Sequence, residues 1–156
     1  MQPVLMHTTP AILPAPALLM RPHKNKTLAT LLALLFGSAG LHRFYLYGRR
    51  DLWGWVHLAT LPLSGLLLLG KPEVAAIFTA APFVLSVLAA FLETLLIGLT
   101  PDEKWDACHN PGSGRTSDTG WPVPLMLVLA LACGATALIA AIARTFDILL
   151  TGGAYG

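Results

Sequence analysis

Four long apolar runs, separated by short polar links, constrain this chain more than any other feature. They cover residues 28–41, Leu52–Gly70, 74–99 and 122–143. A helix needs about 20 mostly apolar residues to cross the hydrocarbon core of a bilayer. The first run is too short alone, but extending it through His42 and Arg43 to Tyr47 gives a 21-residue segment, about 31 Å long as a helix. Phe44, Tyr45 and Tyr47 would then lie at headgroup depth, where amphipathic rings are favoured, and the Arg43 head would reach water along its apolar stem. The expectation is an all-α fold: an integral membrane bundle of about four transmembrane helices, at 27–47, 52–70, 74–99 and 122–150.

Composition excludes the aqueous alternative. Hydrophobic residues make up 55% of the chain and charged residues 12%, against about 25% charged in soluble domains. A surface so poor in charge would be mostly apolar and would aggregate in water. The formal charge of +2 and the lack of a basic stripe with interleaved aromatics argue against nucleic acid, so the lipid bilayer is the expected partner. Cys133 lies in an apolar run and Cys108 in a polar loop, and no disulfide is expected between them. The first 20 residues have no Lys or Arg and are broken by Pro3, Pro10, Pro14 and Pro16, unlike a cleavable signal. Residues 1–23 read as a flexible tail resting on the membrane surface.

Within the runs, Trp53 and Trp55 form an interfacial belt, Pro62 and Gly65 are tolerated breaks, and Lys71-Pro72-Glu73 is a polar connection. Residues 100–121 hold charges, glycines and prolines without a helical period and read as an extramembrane loop. Ala29, Ala33 and Gly37 recur along one helix face, as do Ala130, Gly134, Ala137 and Ala141. Such stripes allow close packing between membrane helices; their partner, whether internal, another copy of the chain or another membrane protein, is open. Four spans would place both ends of the chain on one side and divide Lys and Arg five against five, which leaves orientation undecided.

The stretch from Gly37 to Gly48, with Gly37, Gly40, His42, Arg43, Phe44 and Tyr45 in order, resembles the signature of the TM-2 domain membrane proteins. Their pattern is a basic lead-in, an apolar helix ending in G-x-x-G, then H-R-F-Y, a glycine turn and further apolar helix. Lys24 and Lys26 match the lead-in, and 53–58 match the resumption. The resemblance covers about residues 23–99 and implies a multi-pass membrane domain at 24–99. It also implies an acid late in the final helix, a position Glu93 would occupy. Tyr47 intervenes before the turn glycine, and the interval from Gly48 to Glu93 is longer than in the family's compact domain. The family has no established biochemical activity, so the resemblance implies architecture more than function.

Glu93 is the most informative single residue. A charge at the centre of a membrane helix costs about 2.5–3.5 kcal/mol on insertion scales, and Glu93 sits about 8 Å off the centre of its run. It is either a proton- or cation-linked carboxylate or, the favoured reading, a buried anchor bonded to His57, Thr79 or a tyrosine. His57 invites a proton relay but reads more readily as an interfacial group. His42 and Arg43 could grip a lipid phosphate; capping a helix C-terminus is favoured. Cys108-His109 with Asp102, Glu103 and Asp106 falls short of the paired ligands of a zinc site, so no metal is expected. No nucleophile–base pair, phosphate loop or dinucleotide fingerprint occurs, and neither enzymatic activity nor a cofactor is expected. Two functions remain. One is a scaffold or accessory subunit in the cell membrane. The other is a small carrier or channel with Glu93 on a proton- or cation-linked path.

Overall fold

The computed structural model describes residues 22–154, and the expected tail at 1–23 lies, apart from residues 22 and 23, outside them. The described residues are all-helical. Helix α1, Lys26–Phe36, begins where the Asn25 side chain accepts the Leu28 amide at 3.1 Å, satisfying one of the donors a helix start leaves free. A 3₁₀ turn, Gly37–Ala39, leads into α2, Leu41–Tyr47. Helix α3 is Leu52–Gly70, capped by the Asp51 carboxylate on the Gly54 amide at 2.8 Å. A single turn, α4 (Ala76–Thr79), precedes α5, Ala81–Leu99. Pro82 sits in the first turn of α5, where its missing N–H costs nothing; the expected helix at 74–99 is thereby divided. Helix α6 is Asp102–His109 and α7 is Pro122–Thr151.

Among the described residues three helices, α3, α5 and α7, are long and apolar enough to cross a membrane. Large apolar side chains such as Leu66, Leu85, Leu125 and Leu150 lie exposed along them, as lipid-facing surfaces require. The all-α membrane bundle therefore stands, but the segment expected as a first span, 27–47, is not one helix. Twenty residues of straight helix would hold Asn25 and Tyr45 about 30 Å apart. Instead the Asn25 amide donates to the Tyr45 hydroxyl at 2.8 Å, and the Lys24 ammonium donates to the Leu46 carbonyl. The chain doubles back at Gly40, whose φ of +73° lies in the left-handed region that glycine enters freely.

The depth of this hairpin follows from its neighbour α5. At its base Lys26 donates to the Thr100 carbonyl, just past the end of α5, while at its apex Gly37 lies against Ala90, midway along α5. Helix α1 is about 16 Å long, half a bilayer core. The hairpin enters from one face and turns near mid-depth. Close packing makes the turn: a Cβ on Gly37 would meet that of Ala90 at 2.6 Å, and one on Gly40 would meet the Gly54 carbonyl at 2.5 Å.

Both small-residue stripes are internal seams on α5. Ala29, Ala33 and Gly37 are buried on the hairpin side. On the other side Ala130 is buried, Gly134 faces Phe91, and Ala137 and Ala141 share a cleft with Phe83 and Val84.

Residues 100–121 are not without helical order. Asp102 and Glu103 open α6 and His109 closes it, a charge order that suits the helix dipole. This segment clasps the hairpin base. Lys26 pairs with Asp102 at 2.8 Å, the Trp105 indole donates to the Lys24 carbonyl at 3.1 Å, and Asn110 accepts the Lys24 amide at 2.7 Å. Residues 22–26, 45–51 and 100–121 thus share one face, called here the clasp face. With α3 leaving it, α5 returning and α7 leaving again, residues 22 and 154 lie on opposite faces, contrary to the four-span expectation. The charge tie disappears as well. Lys24, Lys26, Arg43, Arg49, Arg50, Lys104 and Arg115 stand at or near the clasp face, and Lys71 and Arg144 at the other, seven against two among the described residues.

Candidate functional site: a charged hub inside the bundle

The turn at Gly40 returns α2 into the groove between α3 and α5 and so brings His42 and Arg43 to Glu93. Arg43 joins two acids. Its Nε donates to Asp51 Oδ2 at 2.7 Å and its Nη1 to Glu93 Oε1 at 2.5 Å. Tyr47, one turn on, places its ring 5.3 Å from the guanidinium carbon, where the face of the ring attracts the cation. Asp51 therefore does two things, capping α3 and binding Arg43. The Arg43 hydrogen bond, with help from the Gly54 amide, holds the Asp51 carboxyl below the usual carboxylate range.

The second Glu93 oxygen faces both histidines. His42 Nε2 lies 2.6 Å from Oε2 and His57 Nε2 lies 3.4 Å from it. His42 is buried and its Nδ1 has no partner. A bare lone pair there costs less than a buried unmade N–H, which places the His42 proton on Nε2, donated to Glu93. His57 Nδ1 meets Ser86 Oγ at 2.7 Å, and Ser86 donates to the Ser38 carbonyl in the hairpin turn at 3.0 Å. A hydroxyl has a single proton, so Ser86 receives the His57 Nδ1 proton. Hairpin, α3 and α5 are joined by this chain of bonds.

Each residue singled out in the sequence now has a place. Gly37 and Gly40 make the close approaches of the turn. His42 and Arg43 neither cap the end of a span nor lie free for a phosphate: they open α2 and bind Glu93, because the reversed chain carries them inward. Phe44 lies over Gly54, which has no Cβ to obstruct the ring, and meets Trp55 edge-on at 5.4 Å. Tyr45 ties α2 to Asn25. Gly48, at φ +80°, ends α2. Of the partners expected for Glu93, His57 is present, whereas Thr79 bonds to the Ala76 carbonyl instead. Asp51, Ser86 and Ser38 were not anticipated. Asp51 had a legible signal, as an acid at the start of an apolar run, three residues before Gly54.

A second polar layer holds the clasp. Asp102 accepts Lys26 and the Thr119 amide, and Asp106 accepts the Ser117 amide at 2.6 Å. Burial opposes ionisation of Asp102, but the bonds from Lys26 and Thr119 outweigh it and lower its pKa. The Ser117 hydroxyl and amide, then Asn110, bring Asp106 down to about 2. His109 stacks on Trp105 at 4.2 Å, and burial lowers its pKa. Cys108 is exposed on α6. Among the described residues no group of three or more His, Cys, Asp or Glu is placed to hold a metal ion.

Both oxygens of Glu93 are engaged, and Ser86, the hydroxyl beside His57, directs its own proton to the Ser38 carbonyl.

Residues 22–71 match the family model of the TM2 domain, from the lead-in to the residue after α3. The matched segment contains the hairpin, Asp51 and His57; Glu93 and α5 lie beyond it and are joined to it by geometry. No curated protein and no solved structure is significantly similar to the chain.

Proposed function

Residues 22–71 form a TM2 domain, and from that premise we propose that this membrane protein is a non-enzymatic scaffold or accessory subunit. The observation that carries the reading is the engagement of both Glu93 oxygens, one by Arg43 and the other by His42. A carboxylate held this way fastens the hairpin to α3 and α5 and makes a rigid platform. Helix α7 then presents its uncovered side to another copy of the chain or to another membrane protein. Its buried residues are only Val123 and Ala130, and its own Cys133 is exposed. Thiol crosslinking in native membranes tests this. An adduct that requires Cys133, or a cysteine placed at Leu131 or Leu138, supports the platform reading; no adduct from any exposed position of α7 sinks it.

The rival reading, a small carrier, is favoured by one observation: Glu93 and His57 line a groove of about 570 Å³ between α3 and α5. Proton and cation flux in sealed vesicles separates the two. If wild type and Glu93→Gln leak no more than empty vesicles, the carrier reading fails.

The cell membrane is the proposed location, with the clasp face in the cytoplasm. The support is the seven-to-two excess of Lys and Arg on that face among the described residues, since basic residues near span ends favour the cytoplasmic side. Single cysteines at Pro22, Gly112 and Ala154 test it with a membrane-impermeant thiol reagent on intact cells, in a chain lacking Cys108 and Cys133. Only Ala154→Cys should react. Reaction at Pro22→Cys with none at Gly112→Cys would undo the hairpin topology itself.

A further inference from the structure

The groove between α3 and α5 is walled by Trp53, Val56 and Leu85 and carries Arg43, His57 and Glu93 among its lining. It lies at mid-depth. Along α5 it runs from Pro82 to Glu93, and Glu93 is only three residues beyond Ala90, the middle of the helix, or about 5 Å. Its polar groups are not fully covered: the side chains of Arg43 and Glu93 are 19% and 21% exposed. Arg43 has five N–H groups, of which Asp51 and Glu93 engage three. Lipid tails cannot accept the others, so the groove calls for an occupant with an acceptor oxygen at this depth.

Contacts between α5 and α7 show what this chain itself holds at that level. Gly134 lies against Phe91, and Leu127 lies against Gly98, so residues 82–93 of α5 are level with residues 132–143 of the antiparallel α7. A second copy in the same membrane, in the same orientation, carries its α7 at the same depth. Within that interval the side of α7 turned away from α5 is small: Ala132, Ala135, Thr136, Ala140 and Ala143 are exposed around a single larger side chain, Ile139. Leu125 and Val128 before it, and Phe146 and Leu150 after it, are bulky. The part of α7 that another helix can approach closely is therefore the part level with the groove.

Thr136 supplies the acceptor. Its hydroxyl donates to the Ala132 carbonyl at 2.8 Å, which uses its one proton and leaves lone pairs free. Side chains lean toward the N-terminus of their own helix. Because α5 and α7 are antiparallel, this brings the Glu93 carboxylate, with the Arg43 group bound to it, and the Thr136 hydroxyl toward one level.

We infer that α7 of a second copy of this chain occupies the groove between α3 and α5, with Ile139 seated between its walls and Thr136 accepting from Arg43. The contact joins two different surfaces, so it builds rings or open chains of copies. It rests on the platform reading and names the partner, and it can fail while that reading holds.

The test uses two differently tagged full-length chains, both with Cys108→Ser and Cys133→Ser. One carries Ala132→Cys and the other Val56→Cys, positions that are exposed and close in depth. Oxidation in native membranes should join the two chains, when expressed together, at least fivefold more than either joins itself. One chain carrying both cysteines should give a ladder of multimers. Thr136→Val should lower the yield about threefold, the worth of one hydrogen bond between membrane helices, and Thr136→Ser should keep it. Ala132→Cys pairing with itself, Val56→Cys pairing with itself, or Ala132→Cys joined only to a different protein would overturn the inference and leave the platform reading standing. An undiminished yield with Thr136→Val would overturn it too. No adduct of Ala132→Cys would likewise overturn it, and the platform reading falls with it only if every other exposed position of α7 is also silent.

Discussion

The hairpin and α7 solve the same problem in opposite ways. Helix α7 has 30 residues, about 45 Å, and its own backbone bonds and apolar surface make it stable in lipid with little help. Its contacts with α5 are extensive but apolar, as at Gly134 against Phe91 and at Leu127 against Gly98. The hairpin is made of helices of 11 and 7 residues, and its turn lies at mid-depth, where irregular backbone is tolerated only when buried in protein. It is accordingly held by a charged hub, by glycine contacts too close for any side chain, and by the clasp. Lipid offers helices no hydrophobic gain on association; an element that cannot span must be fastened by polar bonds and close packing. A spanning element needs no polar bonds.

The widest gap between the two regions should open with Glu93→Ala. Removing one partner of a buried ion pair costs about 3–5 kcal/mol, because Arg43 keeps its charge and loses an acceptor. Unfolding in mild detergent should register this loss, and an unchanged midpoint would mean the hub does not hold the hairpin. Gly40→Ala comes next. The left-handed backbone costs about 1–2 kcal/mol, and the new methyl would press on the Gly54 carbonyl, adding about 1–3 kcal/mol of overpacking. The same measurement checks it, and a loss below about 1 kcal/mol would contradict the tight turn. For α7 the matching change is Gly134→Ala, whose Cβ would lie 3.1 Å from that of Phe91. Overpacking that a tilt of the helix relieves should cost under about 1 kcal/mol; a loss equal to that of Gly40→Ala would erase the contrast.

The smallest effect expected is acid opening of the clasp. Asp102 and Asp106 have lowered pKa values in the folded protein, Asp106 about 2. Their contribution is therefore complete above the unfolded value of about 3.9 and fades as pH falls through the folded values. Trp105, 1% exposed, should report the opening as a fluorescence change between about pH 4 and pH 2. A signal flat through that window would show that Ser117 and Lys26 do not hold the segment closed.

Much of this was legible in the chain. The expected limits of the span at 52–70 coincide with α3, the last helix begins where Pro122 suggested, and His57 was named as a partner of Glu93. The hairpin was not legible for a physical reason. A 21-residue apolar run that crosses a bilayer and one that folds back halfway have the same hydropathy. Gly37 and Gly40 were read as packing and motif residues, although Gly40 also marks the reversal. Helix α6 was missed because its weak pattern makes sense only once Trp105 is buried against Lys24. The charge tie had the same origin: sides can be counted only after the crossings are known.

Sequence alone determined the solvent of this protein, because an apolar fraction this high and a charge content this low are properties of composition and do not depend on the path of the chain. It determined the helices that can cross and the TM2 signature within residues 22–71. Which residues meet was decided by tertiary structure. One left-handed glycine turns the chain back at mid-depth, and that reversal brings Arg43 to an acid fifty residues away. Contacts between distant residues depend on direction, and hydropathy carries none.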